Sequence, residues 1–212
     1  MIGLAYNPAS NQVLIFDRSA SKVYGMDAMT GVATVLFSTP GVSFQGGAVL
    51  NGLVYGIDEN AQNLEAYTFT GVIQNLTGPG FTAHVHSLAV NPITGELFFH
   101  SSTSGVRAVS TGGVEGTVLL STTLMGTLGS EDIDYYNGNY LVADYSSQLY
   151  LVNSTTGANS VFLNSTQLTG MGVIGSLSGV AVQMNVVPEP GTWALLLTGL
   201  AAVALTGLRR RR

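Results

Sequence analysis

Cysteine is absent from the 212-residue chain, and charged residues make up only 9% of it. Without cysteine the protein can form neither disulfides nor thiolate metal sites, and it has no cysteine nucleophile. Basic residues are rarest in residues 1–187, which contain three of them against eleven carboxylates, a net charge of −8. This balance argues against nucleic acid as a partner, because such binding depends on lysine and arginine side chains that neutralise phosphates.

Long runs of helix-forming residues are also missing before residue 192, whereas glycine is abundant, at 27 of 212 positions. Together with many Ser, Thr and Asn residues, this composition is typical of an all-β extracellular domain with many tight turns. The 187 residues before the C-terminal segment provide enough chain for one sizeable core.

Three sequence markers recur in phase with a period of about 40 to 45 residues. One is a Thr-Gly pair, one is an aspartate or histidine after an apolar strand, and one is a first-strand segment such as GLAYNP (3–8) or EDIDYYNG (131–138). The Thr-Gly pairs begin at Thr30, Thr70, Thr111 and Thr156, and the second marker is Asp17, Asp58, His100 and Asp144. A period of this length with several short strands per unit is the signature of β-propeller blades.

We therefore predict an all-β, propeller-like array of about four four-stranded blades. The predicted repeat domain, residues 1–185, divides into blades at 3–45, 46–85, 86–130 and 131–177 and a closing strand at 178–185. The first unit already has four strands, so we expect the closing strand to pair with blades upstream of Met1, although four blades can also close. The units loosely resemble those of bacterial β-propellers, in NGLVYGID (51–58) and NGNYLVAD (137–144), and the resemblance implies architecture only.

The last 27 residues have three parts in a fixed order: Val-Pro-Glu-Pro at 187–190, an uncharged apolar run at 192–208, and a basic cluster. The 17-residue run is at the short end of what spans a hydrocarbon core of about 30 Å as a helix. The basic cluster is Arg209, Arg210, Arg211 and Arg212. Arginines after a membrane span stay on the cytoplasmic side. This predicts that residues 1–187 lie on the opposite, non-cytoplasmic side of the membrane.

This tail resembles the PEP-CTERM sorting domain of Gram-negative bacteria. The resemblance implies that Pro188, Glu189 and Pro190 are recognised by exosortase, a membrane-embedded transpeptidase. It further implies an inner-membrane precursor whose span is removed and a mature protein at the cell surface or in the extracellular matrix of a biofilm. The alternative is an ordinary single-pass tail anchor. The family uses an N-terminal signal peptide, and MIGLAYNPASNQVLIFDRS lacks the early basic residues of one, so we expect further sequence upstream.

The three histidines are the first candidate ligand set. His84 and His86 alternate along one strand and would point the same way, with His100 or Glu96 as a third metal ligand. The simpler interpretation is a pair of solvated imidazoles in a loop before the blade, and His100 replaces an aspartate at its repeat position. We predict no metal site from these residues.

Acidic residues at the start of the fourth unit are the second candidate. Asp132 and Asp134 alternate onto one face, and their hard oxygen ligands suit calcium, but the spacing lacks a full calcium-binding loop. A solvated entrance to the blade is the simpler interpretation, and no cofactor is predicted. The repeated aspartates Asp17, Asp58 and Asp144 are expected to bond turn amides and pin each hairpin.

Catalytic motifs such as a Gly-x-Ser-x-Gly elbow or a phosphate-binding loop are missing. We therefore expect a non-enzymatic binding or scaffold module that contacts extracellular polysaccharide or protein. The alternative is an exported propeller hydrolase or lyase, of lactonase type, with a divalent metal at the central channel. Convergence of Asp132, Asp134, His84 and Glu96 at the axis would favour that alternative.

Overall fold

The structure, a computed structural model, describes residues 2–58, 60–74, 81, 85–101, 103–122, 130–144, 147–171 and 179–183. Within these ranges sixteen strands form four antiparallel sheets of four strands each, and each sheet follows chain order from its first strand to its last. The sheets are called blades 1 to 4. The predicted all-β propeller with four-stranded blades is confirmed.

Blades 1 and 2 contain β1 (Ile2–Asn7), β2 (Gln12–Asp17), β3 (Lys22–Asp27), β4 (Ala33–Ser38), β5 (Phe44–Leu50), β6 (Leu53–Asp58), β7 (Asn63–Tyr67) and β8 (Ile73–Gln74). Blades 3 and 4 contain β9 (Val85–Asn91), β10 (Glu96–Ser101), β11 (Gly105–Val109), β12 (Glu115–Leu120), β13 (Ser130–Tyr136), β14 (Asn139–Asp144), β15 (Gln148–Asn153) and β16 (Asn159–Leu163). A short helix, α1 (Ser165–Gly170), follows blade 4 and begins with a capping box between Asn164 and Gln167.

Local turn chemistry explains the hairpins. The Asn51-Gly52 and Asn137-Gly138 pairs both have positive φ at each residue, between 47° and 80°, which is the geometry of a two-residue type I′ hairpin turn. The predicted Thr-Gly markers join the third and fourth strands of the blades, and the glycine is left-handed at Gly31, Gly71 and Gly157. In blade 3 the left-handed residue is Gly113, one position later than the marker.

The first strand of each blade lies innermost: β1 contacts β5, β5 contacts β9, and β9 contacts β13. Backbones approach closely here, since a Cβ added at Gly3 would lie 2.5 Å from the Gly46 Cα, and one at Gly46 would lie 3.0 Å from the Ser87 Cα. The outer strands are more exposed, as Val35 on β4 and Val118 on β12 show. Function at the axis therefore depends on the inner strands.

Three apolar seams hold neighbouring blades together. Phe16 and Phe37 of blade 1 pack with Phe44 and Tyr67 of blade 2. The seam between blades 2 and 3 contains Tyr55, Ile57, Leu88 and Phe99, and the seam between blades 3 and 4 contains Phe98, Val106, Ile133 and Tyr140. Large buried side chains of this kind are the main source of stability in the fold.

Residues 179–183 form a segment, here called the strap, that covers the face of blade 4 directed away from blade 3. Val180 is buried against Leu141, Ala143 and Leu149, and Val182 packs at the edge of the same cluster. The sequence predicts a closing strand at 178–185, and its described part lies beside β13 but has no strand assignment. The reason is that the Val180 and Val182 amides donate to side-chain carboxylates.

Within the described residues, no helix has the length and apolar character needed to cross a membrane. The predicted span, 192–208, lies outside those residues.

Candidate functional site

A cavity of about 420 Å³ lies at the centre of the four inner strands. Its wall is mostly apolar and includes Leu4, Val49, Leu88 and Val90. The β1–β2, β5–β6 and β9–β10 turns contribute Pro8, Asn51, Gly52 and Pro92, and the strap contributes Val182. A concave, mainly apolar space of this size is what small-molecule sites in proteins provide.

Asp134 is the one charged residue among the described residues that line the cavity. It lies on β13, and both of its oxygens accept main-chain amides: Oδ1 from Tyr135 at 2.7 Å and Oδ2 from Val182 at 2.6 Å. Each oxygen keeps lone-pair capacity, so the carboxylate can also accept a hydrogen bond from an occupant of the cavity.

Asp132, two residues earlier on the same face of β13, is fully buried. Its Oδ2 accepts the amide of Leu4 on β1 at 3.2 Å and the amide of Val180 on the strap at 2.9 Å. Its Oδ1 accepts the Ile133 amide at 3.0 Å. We call this joint the carboxylate seam: the side chains of Asp132 and Asp134 with the amides of Leu4, Val180 and Val182.

The environment of the carboxylate seam shifts the protonation of both groups. Burial raises the pKa of Asp134 to about 7, and the amide hydrogen bonds from Val182 and Tyr135 oppose that shift. Burial raises the pKa of Asp132 well above its usual range, against the amides of Val180 and Leu4, and the nearby Asp134 charge adds to the increase. Two carboxylates this close disfavour joint ionisation.

The candidate histidines occupy a different place. His86 on β9 and His100 on β10 have ring centroids 6.4 Å apart, and His100 is buried. Burial, followed by the effect of His86, lowers the pKa of His100 to about 4, so its imidazole is neutral at neutral pH. His84 lies outside the described residues.

Glu96 and His100 are not brought together. Glu96 is the first residue of β10, and four residues at about 3.3 Å each place it roughly 13 Å from His100 along the strand. In the part of the chain that the structure describes, no three His, Cys, Asp or Glu side chains group as a metal site. The structure thus separates Glu96 from His100 and places Asp132 and Asp134 together, with amides as their partners.

The repeated aspartates have the predicted turn-pinning role where their bonds are described. Asp17 Oδ1 accepts the amides of Ser19 and Ala20, both at 3.0 Å, and Asp58 Oδ1 accepts the Asn60 amide at 3.0 Å. These carboxylates stabilise the turn after the second strand.

Sequence reasoning selected Asp132 and Asp134 but missed their partners, which lie 48 and 128 residues away in the chain. One available signal was the strap itself. Its sequence repeats the first-strand marker, and a first-strand copy is expected beside the preceding first strand, β13.

Comparisons with known proteins bear on the two parts of the chain separately. Residues 186–212 match the PEP-CTERM protein-sorting motif, which confirms the predicted tail at the level of sequence. The motif implies an exported protein of a Gram-negative bacterium that is processed by exosortase. The motif residues Pro188, Glu189 and Pro190 and the cluster Arg209–Arg212 lie outside the described residues. No curated protein sequence matches the chain.

Solved structures match the blades. A chain of the nidogen/laminin complex gives a TM-score of 0.58 at 13% identity, over 85% of this chain and 83% of that one. A Bacteroides thetaiotaomicron protein of unknown function gives 0.55 at 20% identity, over 78% of this chain and 44% of that one. Virginiamycin B lyase of Staphylococcus aureus gives 0.48 at 15%, over 72% of this chain and 52% of that one. The chain thus spans about half the length of the latter two, and the similarity to the first two shows a shared fold alone.

Proposed function

We propose that the protein is an exported propeller that serves as a binding or scaffold module in the cell envelope or extracellular polysaccharide matrix. In this proposal the span at 192–208 anchors a precursor in the inner membrane, and exosortase recognises Pro188, Glu189 and Pro190. The blades then remain at the surface or in the matrix without catalysing a reaction.

The observation that carries a binding role is the channel cavity. It offers apolar surface at the axis, next to three hairpin turns that can contact a larger partner at the cavity mouth. The two carboxylates beside the cavity already accept hydrogen bonds from main-chain amides, so their position is explained by a structural role. An apolar cavity with few polar groups suits an apolar portion of a ligand better than a sugar ring, which needs many hydrogen bonds. The cavity would therefore hold an apolar group of a matrix component, and the turns would contact polysaccharide around it.

A cavity-filling variant tests this role. Val90 is half-buried and lines the cavity, so Val90→Trp should fill it, whereas Val118→Trp adds the same ring to an exposed site on β12. Full-length chains are produced in a bacterium with exosortase, and the protein in the matrix and in the medium is quantified. We expect Val118→Trp to stay in the matrix and Val90→Trp to be exported equally but released. Equal retention of a folded Val90→Trp protein would exclude the cavity as the binding site.

The alternative is an exported hydrolase or lyase, and one observation favours it. A carboxyl whose pKa is raised to about 7 at a cavity wall is suited to general acid or base catalysis near neutral pH. In that case Asp134→Asn would abolish turnover of a lactone substrate while leaving its binding intact. If the purified wild-type protein turns over no lactone with added calcium, magnesium or zinc, this alternative loses its support.

A further inference from the structure

The strap joins the propeller to the sorting motif, and its contacts are specific. Val180 and Val182 donate their amides to Asp132 and Asp134 at 2.9 and 2.6 Å, and the exposed Gln183 side chain donates to Asn11 Oδ1 at 3.2 Å. Each amide thus has a side-chain oxygen as its acceptor, and Val180 adds buried apolar surface. The strap is therefore held at Val180, at Val182 and at Gln183, its last described residue.

This hold shortens the chain that is available to the processing enzyme. Pro188 is the fifth residue after Gln183, and a fully extended chain covers at most about 3.6 Å per residue, so the motif begins within about 18 Å of the strap. Release of residues 179–183 would add five residues to this segment and extend its reach to about 36 Å. Docking of the strap thus reduces the reach of the motif about twofold.

The β1–β2 turn is the surface next to the end of the strap, where the segment that leads to the motif begins. Asn11 in that turn accepts the Gln183 side chain and also the Tyr6 hydroxyl at 2.8 Å. While the strap is docked, the β1–β2 turn restricts the space in which an enzyme can engage Pro188, Glu189 and Pro190. Proteases and related enzymes commonly bind an extended segment that covers several residues on each side of the bond, and few are available here.

We propose that the docked strap restrains processing, and that exosortase acts fastest after residues 179–183 leave the carboxylate seam. The inference rests on the proposed sorting function and adds a restraint that the folded propeller places on it. The partner is the processing enzyme, and the surface that it must clear is the β1–β2 turn with Asn11.

A proline variant removes one donor with little change in size. Val182→Pro deletes the N–H that donates to Asp134, whereas Val182→Ala, the matched control, keeps the N–H and trims the side chain. Precursor and processed forms of the full chain are followed by pulse-chase in cells that contain exosortase. We expect Val182→Pro to be processed several-fold faster than the wild type and Val182→Ala at close to the wild-type rate. A folded Val182→Pro protein that is processed at the wild-type rate or more slowly would overturn the restraint.

A second measurement follows release of the strap directly, in the absence of the enzyme. Because the chain has no cysteine, Val180→Cys places a single thiol at a buried position of the strap, and its reaction with an uncharged maleimide in the full-length precursor reports release of the strap. Adding Val182→Pro should raise the labelling rate several-fold. An unchanged labelling rate would also overturn the proposal, because the strap would not depend on the seam.

The failure of sorting itself has a different signature. If the wild type and Glu189→Ala remain unprocessed to the same extent, the proposed sorting function fails and the processing restraint fails with it. The labelling result still shows whether the seam holds the strap. If the wild type is processed and Glu189→Ala is not, the processing rates of the Val182 variants decide the proposal.

Discussion

The seams between consecutive blades differ in kind from the carboxylate seam that connects blade 4 to β1 and the strap. The former bury large side chains, such as Phe16, Phe98 and Phe99, whose contribution is non-directional and nearly independent of pH. The latter depends on two carboxylates and three amides, whose contribution needs defined geometry and changes with protonation. The apolar seams therefore account for most of the stability, and the carboxylate seam accounts for where the C-terminal segment leaves the propeller.

This difference matches the demands on the two regions. Blade-to-blade contacts have to persist for the life of the protein. A strap that precedes a processing site has to be held but also released, and low local stability is typical of such segments. Hydrogen bonds from a short strap can open without unpacking a blade.

Removing a large side chain from an apolar seam should have the greatest effect. Phe98 is 1% exposed, and its ring lies 5.2 Å from that of Tyr140 across the seam between blades 3 and 4. We expect Phe98→Ala to lower the free energy of unfolding by about 3–5 kcal/mol, from lost burial and the cavity left behind. Urea unfolding at pH 7 measures it, with Val118→Ala at an exposed site changing by no more than about 0.5 kcal/mol. A loss below about 1 kcal/mol for Phe98→Ala would show that the seam can repack.

Breaking the carboxylate seam should cost less. Asp132→Ala leaves the amides of Leu4, Val180 and Ile133 without their acceptor, and we expect a loss of about 2–3 kcal/mol. Asp132→Asn keeps one acceptor oxygen and nearly the same size, so it should lose less than half as much. Both are measured by urea unfolding. Equal losses for the two variants would mean that a single acceptor oxygen does not hold the seam.

The contrast between the seams also explains what sequence could predict. Local features were accessible: the period placed the blades, Asn51-Gly52 and Thr30-Gly31 placed turns, and alternation placed Asp132 and Asp134 on one face of β13. What each face meets depends on closure around the ring, and no local pattern encodes it. The Leu4 and Val180 amides therefore could not be assigned to Asp132 from spacing, which suggests only that two carboxylates share a face. The sequence also put His86 and His100 in one candidate set, and their rings do lie 6.4 Å apart within blade 3; only the register shift at His100/Ser101 could not be predicted.

The pH dependence of stability should distinguish the two kinds of seam. The pKa of Asp134 is raised to about 7 in the folded protein from an unfolded value of 3.8, so folding takes up a proton between these values. Its contribution is fully present below pH 3.8 and is lost as the pH rises through 7. The free energy of unfolding of the wild type relative to Asp134→Asn should therefore fall between pH 5 and 7, by at most about 1.4 kcal/mol per pH unit, and level off above pH 8.

His100 makes this comparison with Asp134→Asn necessary. Its pKa is lowered to about 4, so its contribution to stability rises with pH below 6.5 and opposes that of Asp134 in the wild type alone. Because His100 is present in both proteins, its effect cancels in their difference, which contains the titration of Asp134 and its coupling to Asp132. A difference that stays constant from pH 5 to 8 would show that the pKa of Asp134 is not raised, and the same experiment on Phe98→Ala should give a constant difference.

The smallest effect is expected at the exposed end of the strap. Gln183→Ala removes the hydrogen bond to Asn11 and should change the free energy of unfolding by no more than about 0.5 kcal/mol. Hydrogen exchange of the Val182 amide, which donates to Asp134, provides the sharper measurement. Protection of that amide should survive Gln183→Ala and disappear in Asp134→Ala, because the carboxylate and not the side-chain amide holds the strap. If both variants expose the amide equally, the strap is held from its end at the β1–β2 turn, and the carboxylate seam is a consequence of docking rather than its cause.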